Sequence, residues 1–288
     1  MHPWLVRLSW LAVPFTIGAA IAGALDDRSS AVQSTAAGIL WAGWALVVLG
    51  TLVPRPAGLV ALRVATAAAA VITVWAADSG ADWAVAGVHA LVALVLALAP
   101  QTGEWLVNGT SYGYERRYLL RPPAPLLAGP LPLAALFLLT AVLAGPLLLA
   151  AEQWAAGGMA AVVSVPVGTL LARSLHSMTL RWAVLVPAGL VVKDHLALRD
   201  PVLFRRTDID VLQPAPADSD ALDLTAGAPG APLELHLREK QTVERIRLGR
   251  RDAELLNVQR LRFTPTRPVA LLAGARSRRI RVLDGSRQ

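Results

Sequence analysis

Six stretches of this chain, at about 8–25, 36–53, 57–77, 83–99, 130–150 and 155–175, are almost unbroken alanine, leucine, valine and glycine. Each is close to the ~20 apolar residues, within about 17 to 25, that an α-helix needs to cross the hydrocarbon core of a bilayer. A backbone in lipid must satisfy its own hydrogen bonds, so stretches of this kind become helices packed on helices. The predicted fold class is an α-helical integral membrane bundle of six transmembrane helices over residues 1–175. Polar punctuation separates the spans: Asp26-Asp27-Arg28, Pro54-Arg55-Pro56, Asp78 through Asp82, a cytoplasmic loop at 101–129, and Glu152-Gln153. A cleaved signal peptide ending near Ala22-Gly23-Ala24 is the alternative for the first span.

The charge is unevenly spread. Residues 1–172 hold seven Arg, no Lys and seven Asp or Glu, whereas residues 173–288 hold twenty Lys or Arg against thirteen Asp or Glu. The formal charge of +7 therefore belongs to a second part, expected at 179–288 as a small basic, cytoplasmic, mixed α+β domain. Arginines also orient the spans, because loops on the cytoplasmic side are enriched in them. Arg7, Arg55, Arg116, Arg117 and Arg121 fall in alternate breaks, and Asp26, Asp27, Asp78, Asp82 and Glu152 fall in the others. Both termini are thus expected on the cytoplasmic face of a bacterial plasma membrane. Trp75, Trp83, Trp105 and Trp154 stand at span ends, where indoles favour the headgroup level.

Inside the spans, away from their ends, only Arg63 and His89 are ionisable. Arg63 is shallow enough to snorkel, and His89 is expected to hydrogen-bond a neighbouring helix. No Asp or Glu lies within a span, which argues against an ion-coupled transporter. Gly145-Pro146 in the fifth span and Ser164 to Gly168 in the sixth are candidate helix breaks. Small residues at Ala65 to Ala70 and Ala155 to Ala161 suit close helix packing, within one bundle or a homo-oligomer.

After Arg181 the pattern shortens to strands at Trp182–Val186, Leu190–Val192, Val202–Leu212, Leu233–Arg238 and Leu255–Phe263, with a Pro- and Gly-rich loop at 214–232. Thr264-Pro265-Thr266-Arg267-Pro268 opens a closing helix at about 266–281. LVPAGLVVKD followed by FRRTDIDVL resembles the opening of bacterial pleckstrin-homology-like (PH-like) domains. The whole chain is similar to multi-pass membrane proteins of actinobacterial type that carry a YG-x-E-x-R-x-x-L-R-P-like loop before the last two spans. Tyr112, Gly113, Glu115, Arg117, Leu120, Arg121 and Pro122 carry that similarity, which implies an arrangement and no activity.

The chain has no cysteine, so thiolate metal sites and cysteine nucleophiles are excluded. It contains no G-x-S-x-G, H-E-x-x-H, P-loop or G-x-G-x-x-G. His176-Ser177 and Asp194-His195 are adjacent pairs, and neighbours on a strand face opposite ways. No catalytic residue, cofactor or metal is expected. Two sets of candidates remain. Tyr112, Gly113, Glu115, Arg116, Arg117 and Arg121 form a candidate docking loop. Arg245, Arg247, Arg250, Arg251, Arg276, Arg278, Arg279 and Arg281 are candidate contacts for anionic lipid of the inner leaflet. A protein partner is the other reading, while nucleic acid is disfavoured by the scarcity of aromatics for stacking. The expected function is a non-catalytic membrane protein presenting a basic PH-like domain. The alternative is a transporter or lipid-translocating subunit that uses the broken fifth and sixth helices.

Overall fold

The structure, a computed structural model, describes residues 3–78, 84–246 and 253–283. The chain divides into two compact units, Met1–Gly109 with Pro130–Thr179, and Thr110–Gly129 with Leu180–Gln288. It passes between them three times.

Unit 1 is helical. A first span is built from α1 (Pro3–Ala12) and α2 (Ile17–Ala24), joined by a 3₁₀ turn at Val13–Phe15. Then come α3 (Ser30–Leu52), α4 (Pro56–Asp78), α5 (Ala84–Leu98) and α6 (Pro100–Asn108). After an excursion into unit 2, which includes the short α7 (Ala124–Ala128), the chain returns as α8 (Pro130–Ala150) and α9 (Trp154–Met178). Five helices are long and apolar enough to cross a membrane, counting α1–α2 as one; α5 and α6, bent by 57° at Ala99, make a sixth if taken as a single span.

The helix breaks are not where Pro and Gly in the last spans suggested. Pro146 and Pro166 lie inside α8 and α9, which run on through them. A proline removes one ladder hydrogen bond, which neighbouring groups in a bundle can offset. The real interruptions are at Pro14 and at Ala99-Pro100. Small residues set the closest approaches. A Cβ on Gly58 would stand 2.9 Å from the Gly50 carbonyl oxygen, and one on Gly145 would stand 3.1 Å from Ala161 Cα. These fix the α3–α4 and α8–α9 pairs at backbone contact.

Unit 2 is α+β. One sheet has the order β1 (Arg116–Leu119), β2 (Trp182–Val186), β3 (Gly189–Lys193), β4 (Val202–Arg205), all antiparallel. The other has the order β5 (Ile209–Pro214), β7 (Leu233–Ile246), β8 (Ala253–Phe263), β6 (Leu222–Asp223). Helix α10 (Pro268–Ser277) follows β8, and its Leu271, Leu272 and Ala275 join residues of both sheets in one core. The stretch 202–212, expected as one strand, is two strands in different sheets, separated by a turn at 206–208.

The main departure from the sequence reading is β1. It comes from 101–129, taken there as a loop of the membrane part, and pairs in register with β2: Arg116 opposite Leu185, Leu119 opposite Trp182. The pairing continues past the strand. Leu120 N–H donates to the Arg181 carbonyl at 3.0 Å, Arg121 N–H to Thr264 at 2.8 Å, and Thr266 N–H to Leu119 at 2.8 Å. The loop is thus held between β2 and the entry to α10.

Candidate functional site

The docking-loop residues fall into two groups. Tyr112-Ser111 and Tyr114 stand at the tip of a turn, and both tyrosines are 84% exposed. Gly113 sits at φ +56°, which a Cβ disfavours. The Glu115 carboxylate accepts from the Tyr112 N–H at 2.8 Å, and the Glu115 N–H donates to the Tyr112 carbonyl at 3.2 Å. Arg116 is exposed, and its guanidinium lies 5.4 Å from the Tyr118 ring.

The others are engaged internally. Arg117 pairs with Glu115 at 2.6 Å, donates to the Thr110 hydroxyl at 2.9 Å, and lies 4.5 Å over the Trp182 ring. Glu115 therefore meets an arginine of its own loop, because a tight turn brings them together. Leu120 is in the core. The Arg121 backbone is bonded on both sides, and its side chain packs over Gly230. So the YG-x-E-x-R-x-x-L-R-P pattern serves largely to fold this segment into unit 2, leaving Tyr112, Tyr114 and Arg116 outward.

The basic residues are partly gathered. Arg276, Arg278, Arg279 and Arg281 follow one another at the end of α10, where positive charge complements the helix C-terminus. Arg278 donates to the Tyr114 carbonyl, joining this cluster to the loop tip. Arg279 has φ +60°, and Arg281 reaches Asp210 only at 3.9 Å. Arg245 lies on β7 opposite Glu254. Arg247, Arg250 and Arg251 lie outside the described residues.

Within unit 1, His89 is hydrogen-bonded to the first span. Its ring nitrogens lie 3.1 Å from the Ser9 hydroxyl and 2.5 Å from that of Thr16, at the 3₁₀ break. Arg63 Nε stands 3.5 Å from the Ala97 carbonyl in the last turn of α5. Arg7 donates to the Thr51 carbonyl at 2.8 Å, in the last turn of α3, between the rings of Trp4 and Trp105.

Two buried charged clusters of unit 2 escaped the sequence reading. Arg181 is 1% exposed and makes a bidentate pair with Asp194, both bonds 2.7 Å, while its third nitrogen donates to the Arg121 carbonyl at 3.0 Å. Glu234, also 1% exposed, accepts from Ser219 at 2.5 Å and faces His236 at 2.6 Å. That trio has the residue types of a hydrolytic triad in the wrong order. The carboxylate stands between hydroxyl and imidazole, so the imidazole does not contact the serine. Among the described residues no group of three or more His, Asp or Glu has metal-binding geometry.

His195, next to the buried pair, titrates abnormally. Burial holds its imidazole below the ordinary value; Asp194 pulls it up, and Arg181 and Lys193 push it down again. A lowered folded value means that the unfolded chain binds the proton more tightly. Stability is then complete above the ordinary value of about 6.5 and declines as pH falls below it. Denaturant titration of unit 2 should show lower stability at pH 5 than at pH 7.5, by a small margin because the residue is only partly buried. His195→Gln should reduce that difference.

No family model, no curated protein and no solved structure matches this chain.

Proposed function

We propose that this chain is a non-catalytic multi-pass protein of the bacterial cytoplasmic membrane that presents a basic PH-like domain to the anionic inner leaflet. The apolar helices of unit 1 support membrane residence, and the alternation of Arg-bearing breaks supports cytoplasmic termini. A four-stranded antiparallel sheet, a second sheet of order β5–β7–β8–β6 and a closing helix support the PH-like reading. In this reading the domain is split, with α8 and α9 inserted between its first and second strands.

One observation carries the docking function. Unit 2 holds 22 Lys or Arg against 14 Asp or Glu, whereas unit 1 holds five against six. All the surplus positive charge thus sits on a unit whose first strand is drawn from the chain between two stretches of unit 1. Polybasic surfaces gain roughly 1 kcal/mol per charge close to an anionic leaflet. The exposed Tyr112 and Tyr114, each with an apolar ring and a polar tip, suit the headgroup zone.

The test is hydrogen exchange of the full-length protein in nanodiscs of neutral lipid and of neutral lipid mixed with phosphatidylglycerol. Anionic lipid should slow exchange at 112–117 and 276–281. The effect should fade in high salt, as the screening length falls from about 10 Å at 0.1 M to about 3 Å at 1 M. Equal exchange in both discs would reject lipid docking in favour of a protein partner. For the transporter alternative, Pro146 and Pro166 lie inside α8 and α9, so helix breaks there do not support it.

A further inference from the structure

A cleft of about 1840 Å³ runs along unit 1, well above the roughly 300–1,000 Å³ of ordinary small-molecule pockets. Its walls come from α1–α4 on one side and from α8 and α9 on the other. They are apolar along most of their length, and the charged groups are confined to the two ends. Arg55, between α3 and α4, and Arg173 and His176, in the last two turns of α9, stand at one end. Asp26, Ser30 and Gln33 stand at the other.

The basic end is uncompensated. Arg55 and Arg173 are exposed, and neither guanidinium makes a hydrogen bond or ion pair with another described residue. Asp26 is the only acidic residue among those lining the cleft, and it is a full helix length away. Two lining residues also bury a polar atom without a protein partner, Trp10 at Nε1 and His176 at Nδ1. Buried polar atoms in native proteins normally have partners, so such orphans point to a group from outside the chain.

We propose that this cleft holds a membrane lipid with an anionic phosphate headgroup. Its chains lie along the apolar walls, and its phosphate meets Arg55, Arg173 and His176. Guanidinium groups match phosphate oxygens in charge and geometry. Asp26 repels phosphate at the opposite end, which fixes the direction in which the lipid enters. A helix of a second copy would fill the apolar walls equally well but leave both arginines unneutralised. This site is in unit 1 and does not depend on docking by unit 2.

The test uses the full-length protein in mild detergent, stripped of lipid and offered equal amounts of phosphatidylglycerol and phosphatidylcholine. Native mass spectrometry then counts what is retained. The protein should keep one phospholipid, with phosphatidylglycerol preferred. Arg55→Gln and Arg173→Gln should each lower the preference by about fivefold. Gly43→Phe should weaken retention of both lipids, because Gly43 lines the cleft and a Cβ there meets nothing within 4 Å. Thermal unfolding and helix content of each variant serve as the folding control. No retained lipid, equal retention of the two, or a preference untouched by both arginine changes would overturn the proposal. The last result would assign the lipid to the basic face of unit 2. Retention of soluble glycerol phosphate in its place, or a dimer without lipid, would equally overturn it.

Discussion

Asp194→Ala should destabilise unit 2 by about 3–5 kcal/mol, the range for removing one partner of a buried ion pair. The cause is what remains rather than what is lost. Arg181 is 1% exposed, and among the described residues Asp194 is its ion-pair partner. The same carboxylate accepts from the Leu196 N–H at 3.0 Å, so the turn after β3 is loosened as well. A domain with a total stability of about 5–15 kcal/mol loses roughly a fifth or more of it, which corresponds to a fall in Tm on the order of 10 °C. Replacing both partners, Arg181→Met with Asp194→Leu, should restore most of the loss, because no charge is then left buried. Thermal unfolding of the two proteins gives the comparison. A single-variant loss below about 1 kcal/mol would mean that water reaches Arg181.

The apolar helical half was legible because an apolar run is a local property. Twenty apolar residues in a row need no knowledge of their neighbours, and five of the six stretches match helices long enough to cross a membrane; the fourth, at 83–99, matches the 15-residue α5, which reaches that length only together with α6. Strands β2 and β3 were legible for a similar reason, since a Val- and Leu-rich run is folded back by a Gly turn. What failed was non-local or concealed. Strand β1 is four residues, Arg-Arg-Tyr-Leu, whose partner lies more than sixty residues away beyond two long helices. The only local signal was the apolar Tyr118-Leu119-Leu120 run, too short to stand out in a polar loop. Glu234 alternates with leucines in LELHLR and so reads as facing water, yet Leu233, Glu234 and Leu235 are all buried. Alternation implies one wet face only when a strand has one. The break in the first span had a signal in Pro14, but Pro146 and Pro166 were equally conspicuous and break nothing. Proline marks a lost hydrogen bond, and packing decides whether the helix bends. Within the loop, the residues that make the pattern conspicuous are mostly those that fold it. The outward Tyr114 stands between the pattern's own positions.

The sequence boundary near 179 makes a sharp prediction, because β1 lies on the other side of it. A fragment of residues 180–288 should fail to fold cooperatively. It would lack Tyr118, Leu119 and Leu120, which are 0%, 4% and 4% exposed in the intact chain. Full burial of a large apolar side chain is worth about 1.5–3 kcal/mol, so the three together approach the stability of a whole domain. The fragment would also leave β2 with an open edge and deprive the Arg181 guanidinium of the Arg121 carbonyl. Supplying residues 110–123 through a flexible Gly/Ser linker ahead of Leu180 should restore a single cooperative transition. Leu119 lies opposite Trp182, so this join closes a hairpin. In the joined protein, Tyr118→Ala should cost about 3–5 kcal/mol, the range for removing a buried aromatic. Helix α10 has a glycine where it crosses this ring, and a Cβ at Gly274 would collide with the Tyr118 hydroxyl. With the ring gone, that close fit becomes a cavity. Circular dichroism and amide exchange of the two fragments decide the matter. Native-like protection in 180–288 alone would show that β1 is an ornament on a self-sufficient domain, whereas protection only in the joined protein would show that the domain needs a strand from between the apolar helices.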